Sequence, residues 1–288
     1  MKMKIVTLLL AGSMAFMACS STTGTDAAQS ENPMEKKTEQ QAAQTAEPRE
    51  DVLVDIETTA GPITVRLYGD TPAHQDNFLK LVNENFYNGT LFHRVIKDFM
   101  IQAGDPESKT AKKGQQLGSG DPGYTLPAEL KYPAHFHKRG ALAAARTGDQ
   151  INPQRRSSGS QFYIVTGKKY SEAELDQMLL QPEMQKLIEA NRARIQELYS
   201  AGDTQGLDAL EDTLVEQARK ALAANPQLST IKETYTTVGG APFLDGQYTV
   251  FGEVVSGMET VDAIEKVETD GADRPQEDIK IISVKVHK

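Results

Sequence analysis

The 288 residues contain no tryptophan and a single cysteine, Cys19. One thiol excludes a disulfide within the chain, so the fold must be held by its core alone. Positive charge is also short: 31 Lys and Arg face 40 Asp and Glu, a formal net charge of -9. That balance argues against a nucleic-acid partner, which would call for basic stripes. No apolar run reaches the roughly 20 residues that a membrane-spanning helix needs. The five histidines (His74, His93, His135, His137 and His287) have no acidic or thiol partners at ligand spacing. His135 and His137 are a lone pair at alternate positions, so no metal site is expected. Ser157-Ser158-Gly159-Ser160 has no base positioned by sequence, which leaves a serine hydrolase unsupported. Asn88-Gly89-Thr90 fits a glycosylation acceptor, but a turn suffices there.

What is present begins with a leader. Lys2 and Lys4 precede an apolar stretch from Ile5 to Met17, the pattern of a secretory signal. Phe16-Met17-Ala18-Cys19 resembles the lipobox of bacterial lipoproteins, with Phe16 where leucine is usual, and implies acylation of Cys19 after cleavage. An ordinary cleaved signal with a stray thiol is the blander alternative. The expected layout is a signal at 1–18, an acylated Cys19 with a disordered tether to residue 51, and a domain at 52–288. The tether is Ser, Thr, Ala, Gln and Glu with almost nothing apolar, too little to offset ordering entropy. The expected location is the cell envelope, facing the periplasm from the outer membrane, because Ser20 follows Cys19 where an aspartate retains some lipoproteins at the inner membrane.

From Val52 the pattern is that of strands. Val54 to Thr58 and Ile63 to Tyr68 alternate apolar and polar residues around Ala60-Gly61, a hairpin signal. Thr71-Pro72 supplies an N-cap hydroxyl and a first-turn proline for a helix carrying Phe78, Leu79, Leu81, Val82 and Phe86 on one side. Two short strands follow, Leu91 to Ile96 and Phe99 to Asp105. Each carries one long polar side chain, Arg94 or Gln102, among apolar neighbours. On pattern alone such a side chain is either a satisfied structural partner or a functional head on a rigid sheet.

Four blocks in order decide between these readings. Phe92-His93-Arg94-Val95-Ile96 with Phe99-Met100-Ile101-Gln102-Ala103-Gly104-Asp105 resembles the central active-site signature of the cyclophilin family. Gly140 to Arg146, Ser158 to Ile164 and Phe243 to Val254 are similar to its later site segments. The resemblance implies a mainly β fold, a closed eight-stranded antiparallel barrel capped by two helices, Thr71 to Phe86 and the helix after Gly257, with Ile279 to Val286 as its last strand. It implies peptidyl-prolyl cis/trans isomerisation of exported or unfolded polypeptides, with proline-containing clients as partners, no metal or organic cofactor, and a monomer. By the same resemblance Arg94 is the catalytic donor and Gln102 orients it. Phe99, Met100, Tyr163 and Leu244 wall the proline pocket. Gln161 and the backbone at Ala145 hold the peptide, and Phe243 and Tyr248 complete the rim. Phe162, next to Tyr163 on the same strand, should face the core. Phe243, Tyr248 and Arg146 stand where many members have tryptophan, histidine and asparagine, so weak cyclosporin binding is expected.

The family pattern is interrupted at 171–233. Ser171-Glu172-Ala173-Glu174 is a capping box. Met184, Leu187, Ile188, Asn191, Ile195 and Leu198 recur at helical spacing, and Leu207, Leu210, Leu214, Ala218 and Leu222 do so after Ala201-Gly202-Asp203. An antiparallel helical hairpin is expected, either holding unfolded clients as a chaperone or only covering its own apolar stripes. For the whole chain the rival to an enzyme is a non-catalytic module that grips proline peptides.

Overall fold

A computed structural model of the chain describes residues 49–288. The leader, Cys19 and most of the tether lie outside the described residues. The alternating hairpin forms as β1 (Val52–Thr58) and β2 (Gly61–Leu67), with Val54, Ile56, Ile63, Val65 and Leu67 fully buried. Each such side chain contributes about 1.5–3 kcal/mol on burial. The turn requires Gly61: its φ is +130°, and a Cβ there would stand 2.8 Å from the Thr260 hydroxyl.

Helix α1 (Pro72–Asn83) starts where the sequence says, but its cap is not the expected one. The Thr71 hydroxyl turns back to donate to the Tyr68 carbonyl at 3.1 Å. The first-turn N–H groups of Ala73 and His74 donate instead to the buried carboxylate of Glu129, at 3.1 and 3.0 Å, and His74 Nδ1 lies 2.6 Å from it. Burial works to raise the Glu129 pKa, but the bonds to His74 and Ala73 outweigh it and hold the carboxyl below its ordinary range.

The remaining strands are β3 (Arg94–Ile96), β4 (Met100–Ala103), β5 (Thr125–Leu126), β6 (Ala141–Ala144), β7 (Ser157–Ser158), β8 (Phe162–Val165), β9 (Val250–Ser256) and β10 (Ile281–Val286). Eight of them make one antiparallel sheet in the order β10-β1-β2-β9-β6-β8-β4-β3. The expected closed barrel is therefore corrected to a half-barrel, since no ladder joins β3 to β10. The reason is local. The outer edge of β3 is taken by the Asp273 carbonyl, which accepts from Val95 N–H at 2.8 Å. Only irregular chain crosses the seam: Gly89 N–H to Ile281 O, Ile281 N–H to Thr90 O, and Phe92 N–H to Ile279 O, at 2.8 to 2.9 Å.

The sheet is buried on both faces where it matters. Along β8, Phe162 and Ile164 enter the main core, where Phe162 meets the Phe78 and Tyr87 rings edge-on, each at 5.6 Å. Tyr163 and Val165 point the other way, into a second apolar cluster with Met100, Ala143 and Val250. The expectation for Phe162 matches this period-two split.

Residues 176–226 form a separate compact unit. The capping box exists: Ser171 N–H and hydroxyl both donate to Glu174 at 2.8 Å, and the carboxyl is held at about 2, chiefly by those bonds and by Lys168. Three helices make this unit rather than the two of a simple hairpin. Helix α2 (Glu172–Ala190) breaks at Asn191, whose amide donates to the Leu187 carbonyl at 2.8 Å, and α3 (Arg192–Ser200) follows before α4 (Thr204–Ala223). Asp203 caps α4 through Gly206 N–H at 2.8 Å. Met184, Ile188, Ile195, Leu198 and Leu214 make its own core. A fourth helix, α5 (Leu228–Thr237), belongs to the sheet-bearing unit, as does α6 (Met258–Glu265), which buries Val261 and Ile264.

Candidate active site

The register of three strands places the two long polar side chains. Arg94 on β3 is directly opposite Gln102 on β4, and Gln102 is directly opposite Tyr163 on β8. The three therefore form a row across the sheet at nearest-neighbour spacing, on the face turned from the main core. A cavity of about 380 Å³ opens over this row. Arg94, Phe99, Met100, Gln102, Ala145, Tyr163, Leu244 and Tyr248, all expected at the site, line it.

Two expected residues do not line the cavity. Gln161 is buried behind Gln102. Its Oε1 accepts from Gln102 Nε2 at 2.9 Å, while its own amide donates to Gly118 and Gly120 carbonyls at 3.0 and 2.6 Å. Gly104 permits this approach, since a Cβ there would lie 2.2 Å from the Ser160 carbonyl. Phe243 is 46% exposed and leans on the outer side of Phe99, with ring centroids 5.3 Å apart.

The arginine is held but not consumed. Asp273 Oδ2 lies 3.6 Å from Arg94 Nε, and the terminal nitrogens have no hydrogen-bond partner among the described residues. Both side chains are exposed, so this ion pair adds little stability. Tyr248 meets Tyr163 edge-on at 6.1 Å and lies beneath the Arg146 guanidinium, 4.2 Å from its ring centroid. Arg146 is itself anchored by Asp149 at 2.6 Å and the Gln247 carbonyl at 3.0 Å. The Tyr163 hydroxyl is pushed well above its ordinary pKa, first by burial and then by neighbouring Tyr248 and Asp245.

The remaining wall was not read from sequence as site-forming. His93, Arg274, Asp270 and the 114–118 segment also line the cavity. His93 stands inside the quoted signature, so its place could have been read. Both its ring nitrogens are buried without a partner among the described residues, and burial, against the pull of Asp105, lowers its pKa. Arg274 offered no signal. It staples two loops, donating to Gln115 and Lys112 carbonyls at 2.6 and 3.0 Å. Asp105 fixes the same segment by accepting from Gly118 N–H at 2.5 Å. Among the described residues no cluster of His, Cys, Asp and Glu could hold a metal ion.

The family model described as cyclophilin type peptidyl-prolyl cis-trans isomerase/CLD matches residues 53–181 and 214–286, leaving most of the helical unit outside it. A Streptococcus pyogenes serotype M6 protein, provisionally named a bifunctional phosphatase/peptidyl-prolyl cis-trans isomerase, is 30% identical over 236 residues. The match covers 81% of this chain but only 38% of that protein. A protein of Staphylococcus saprophyticus, provisionally named a peptidyl-prolyl cis-trans isomerase, is 28% identical over 238 residues, covering 82% of this chain and 92% of its own length. A cyclophilin type peptidyl-prolyl cis-trans isomerase of Cryptosporidium parvum has the same fold at a TM-score of 0.50 and 22% identity, covering 83% of this chain and 99% of that one. With the family model matched over more than half of its length, this chain belongs to the cyclophilin-type peptidyl-prolyl cis-trans isomerases.

Proposed function

We propose that the isomerase reaction runs over the Arg94 row, on X-Pro bonds of extended polypeptides outside the cytoplasm. Resonance sets the barrier to rotation near 18–20 kcal/mol, and uncatalysed isomerisation takes tens to hundreds of seconds. No bond is made or broken, so neither nucleophile nor metal is required. In the twisted state the prolyl nitrogen becomes pyramidal and its lone pair is freed. A cationic donor aimed there binds that state better than either planar isomer, which is what lowers the barrier. Arg94 suits the role, being always charged and having its terminal nitrogens without partners among the described residues. Phe99, Met100, Tyr163 and Leu244 supply an apolar seat for the prolyl ring. Gln102, fixed by Gln161, stands beside the guanidinium to orient it and the peptide.

The observation that carries this reading is the Arg94–Gln102–Tyr163 row beneath an open cavity. Its test is a prolyl-isomerase assay on an Ala-Pro peptide. Arg94→Ala should lower kcat about a hundredfold or more while the melting temperature holds. An unchanged rate would remove Arg94 from catalysis, and peptide binding without turnover in the unmodified chain would make this a recognition module.

The pattern of residues 1–19 supports export and acylation at Cys19, with the isomerase tethered to the outer membrane and facing the periplasm. Cys19→Ala should move the protein from the membrane to the soluble fraction. Retention on the membrane would refute the lipid anchor.

A further inference from the structure

Beneath Tyr163 runs a buried polar chain that a proline seat does not itself require. The Tyr163 hydroxyl lies 3.0 Å from His137 Nε2, with the two rings within 13° of parallel. The other ring nitrogen, Nδ1, is 3.0 Å from Asp245 Oδ1, which also accepts from the His137 main-chain N–H at 2.8 Å. Asp245 Oδ2 accepts from the Tyr235 hydroxyl at 2.7 Å. His137 and Tyr235 are fully buried, Tyr163 is 4% exposed and the Asp245 side chain 5%.

Hydrogen-bond chemistry orders this chain. A carboxylate only accepts, so His137 Nδ1 carries the hydrogen and Nε2 is left to accept from the Tyr163 hydroxyl. The tyrosine hydroxyl is thereby committed to the protein and not to the cavity. A phenylalanine would wall an apolar seat as well. Burying a hydroxyl, an imidazole and a carboxylate costs free energy unless each is satisfied. Here each is satisfied, and what the network adds is a locked ring orientation, since a fully bonded buried network specifies one arrangement. Its far end, Tyr235, sits on α5, also packed edge-on to Tyr170 at 6.5 Å and Phe136 at 5.5 Å.

We propose that His137, Asp245 and Tyr235 are positioning residues that set the Tyr163 wall, making α5 a working part of the isomerase site. This rests on the reading of Tyr163 as a wall of the proline seat. The wall grips the prolyl ring alike in cis, trans and twisted states, whereas Arg94 favours the twisted state alone. Loosening the chain should therefore raise KM and spare kcat, the opposite of removing Arg94.

Tyr235→Phe in the full chain is the test, because it removes one hydroxyl far from substrate and keeps the ring. Its KM for an Ala-Pro peptide should rise about three- to tenfold, with kcat within about twofold of the unmodified protein. An unchanged KM at an unchanged melting temperature overturns the proposal. Should the variant not fold, ¹⁵N NMR of the unmodified protein's histidines decides. A proton on His137 Nδ1 with a bare, accepting Nε2 supports the chain, and a proton on Nε2 overturns it. Should the unmodified chain show no turnover, the catalytic reading falls by itself. The positioning role then stands or falls on whether Tyr235→Phe weakens the peptide's Kd by the same factor.

Discussion

The sheet-bearing unit and the helical unit of 176–226 are stabilised in different ways. In the helical unit nearly everything is local. Its apolar residues recur at three and four positions, and its charges pair one turn apart, as in Glu183–Lys186, Glu189–Arg192 and Arg194–Glu197. Such pairs are worth only a few tenths of a kcal/mol each, so the unit depends on its own small core. In the sheet-bearing unit the decisive contacts join distant stretches: Glu129 to α1, Asp273 to β3, Asp245 to His137. Chemistry gathers in the second kind of region, because a site must bring side chains from several elements to fixed separations.

Substitutions can break this contrast or sharpen it. The largest effect should come from Phe162→Ala, which empties the junction of the Phe78 and Tyr87 rings and should cost about 3–5 kcal/mol in chemical denaturation. Leu214→Ala should cost about 2–4 kcal/mol within the helical unit yet leave kcat/KM for a short Ala-Pro peptide unchanged. A parallel loss of activity would show that the two units do not work separately. Glu129→Ala strips α1 of its cap and should cost about 2 kcal/mol, read as a lower denaturation midpoint.

Acid offers a gentler probe. His93 has a folded pKa below the unfolded value of about 6.5. It therefore adds stability above pH 6.5 that is lost as pH falls from there toward its lower folded pKa. The melting temperature should drop between pH 7 and 5, and drop less in His93→Phe; equal slopes would show that His93 is not the titrating group. Smallest of all, Asp203→Ala should cost the helical unit about 1 kcal/mol through lost capping.

How much could be read from the chain follows the same divide. The β1–β2 hairpin, the Ser171–Glu174 box and the stripe from Met184 to Leu198 were legible because each is a local pattern. The break at Asn191 was not, since its side chain continues the helical spacing while bonding back to Leu187. Arg94, Gln102 and Tyr163 were recognised from motifs, and their alignment in a row needed the strand register. Glu129 as a cap lies 55 residues from His74, and Asp245 lies 108 from His137; no periodicity spans such distances. The open seam was hidden for the same reason, because a loop near residue 273 and not a strand covers β3.

That seam has a consequence for the company this protein keeps. A half-barrel has two borders, and an uncovered strand border is a template onto which a stray extended chain can zip, the first step of aggregation. Here the Asp273 carbonyl occupies Val95, and the main chain at Gly89 and Thr90 occupies Ile281. A protein whose work is to handle extended polypeptides thus offers them a cavity and withholds these borders, so a client can be turned and released without being recruited into the sheet.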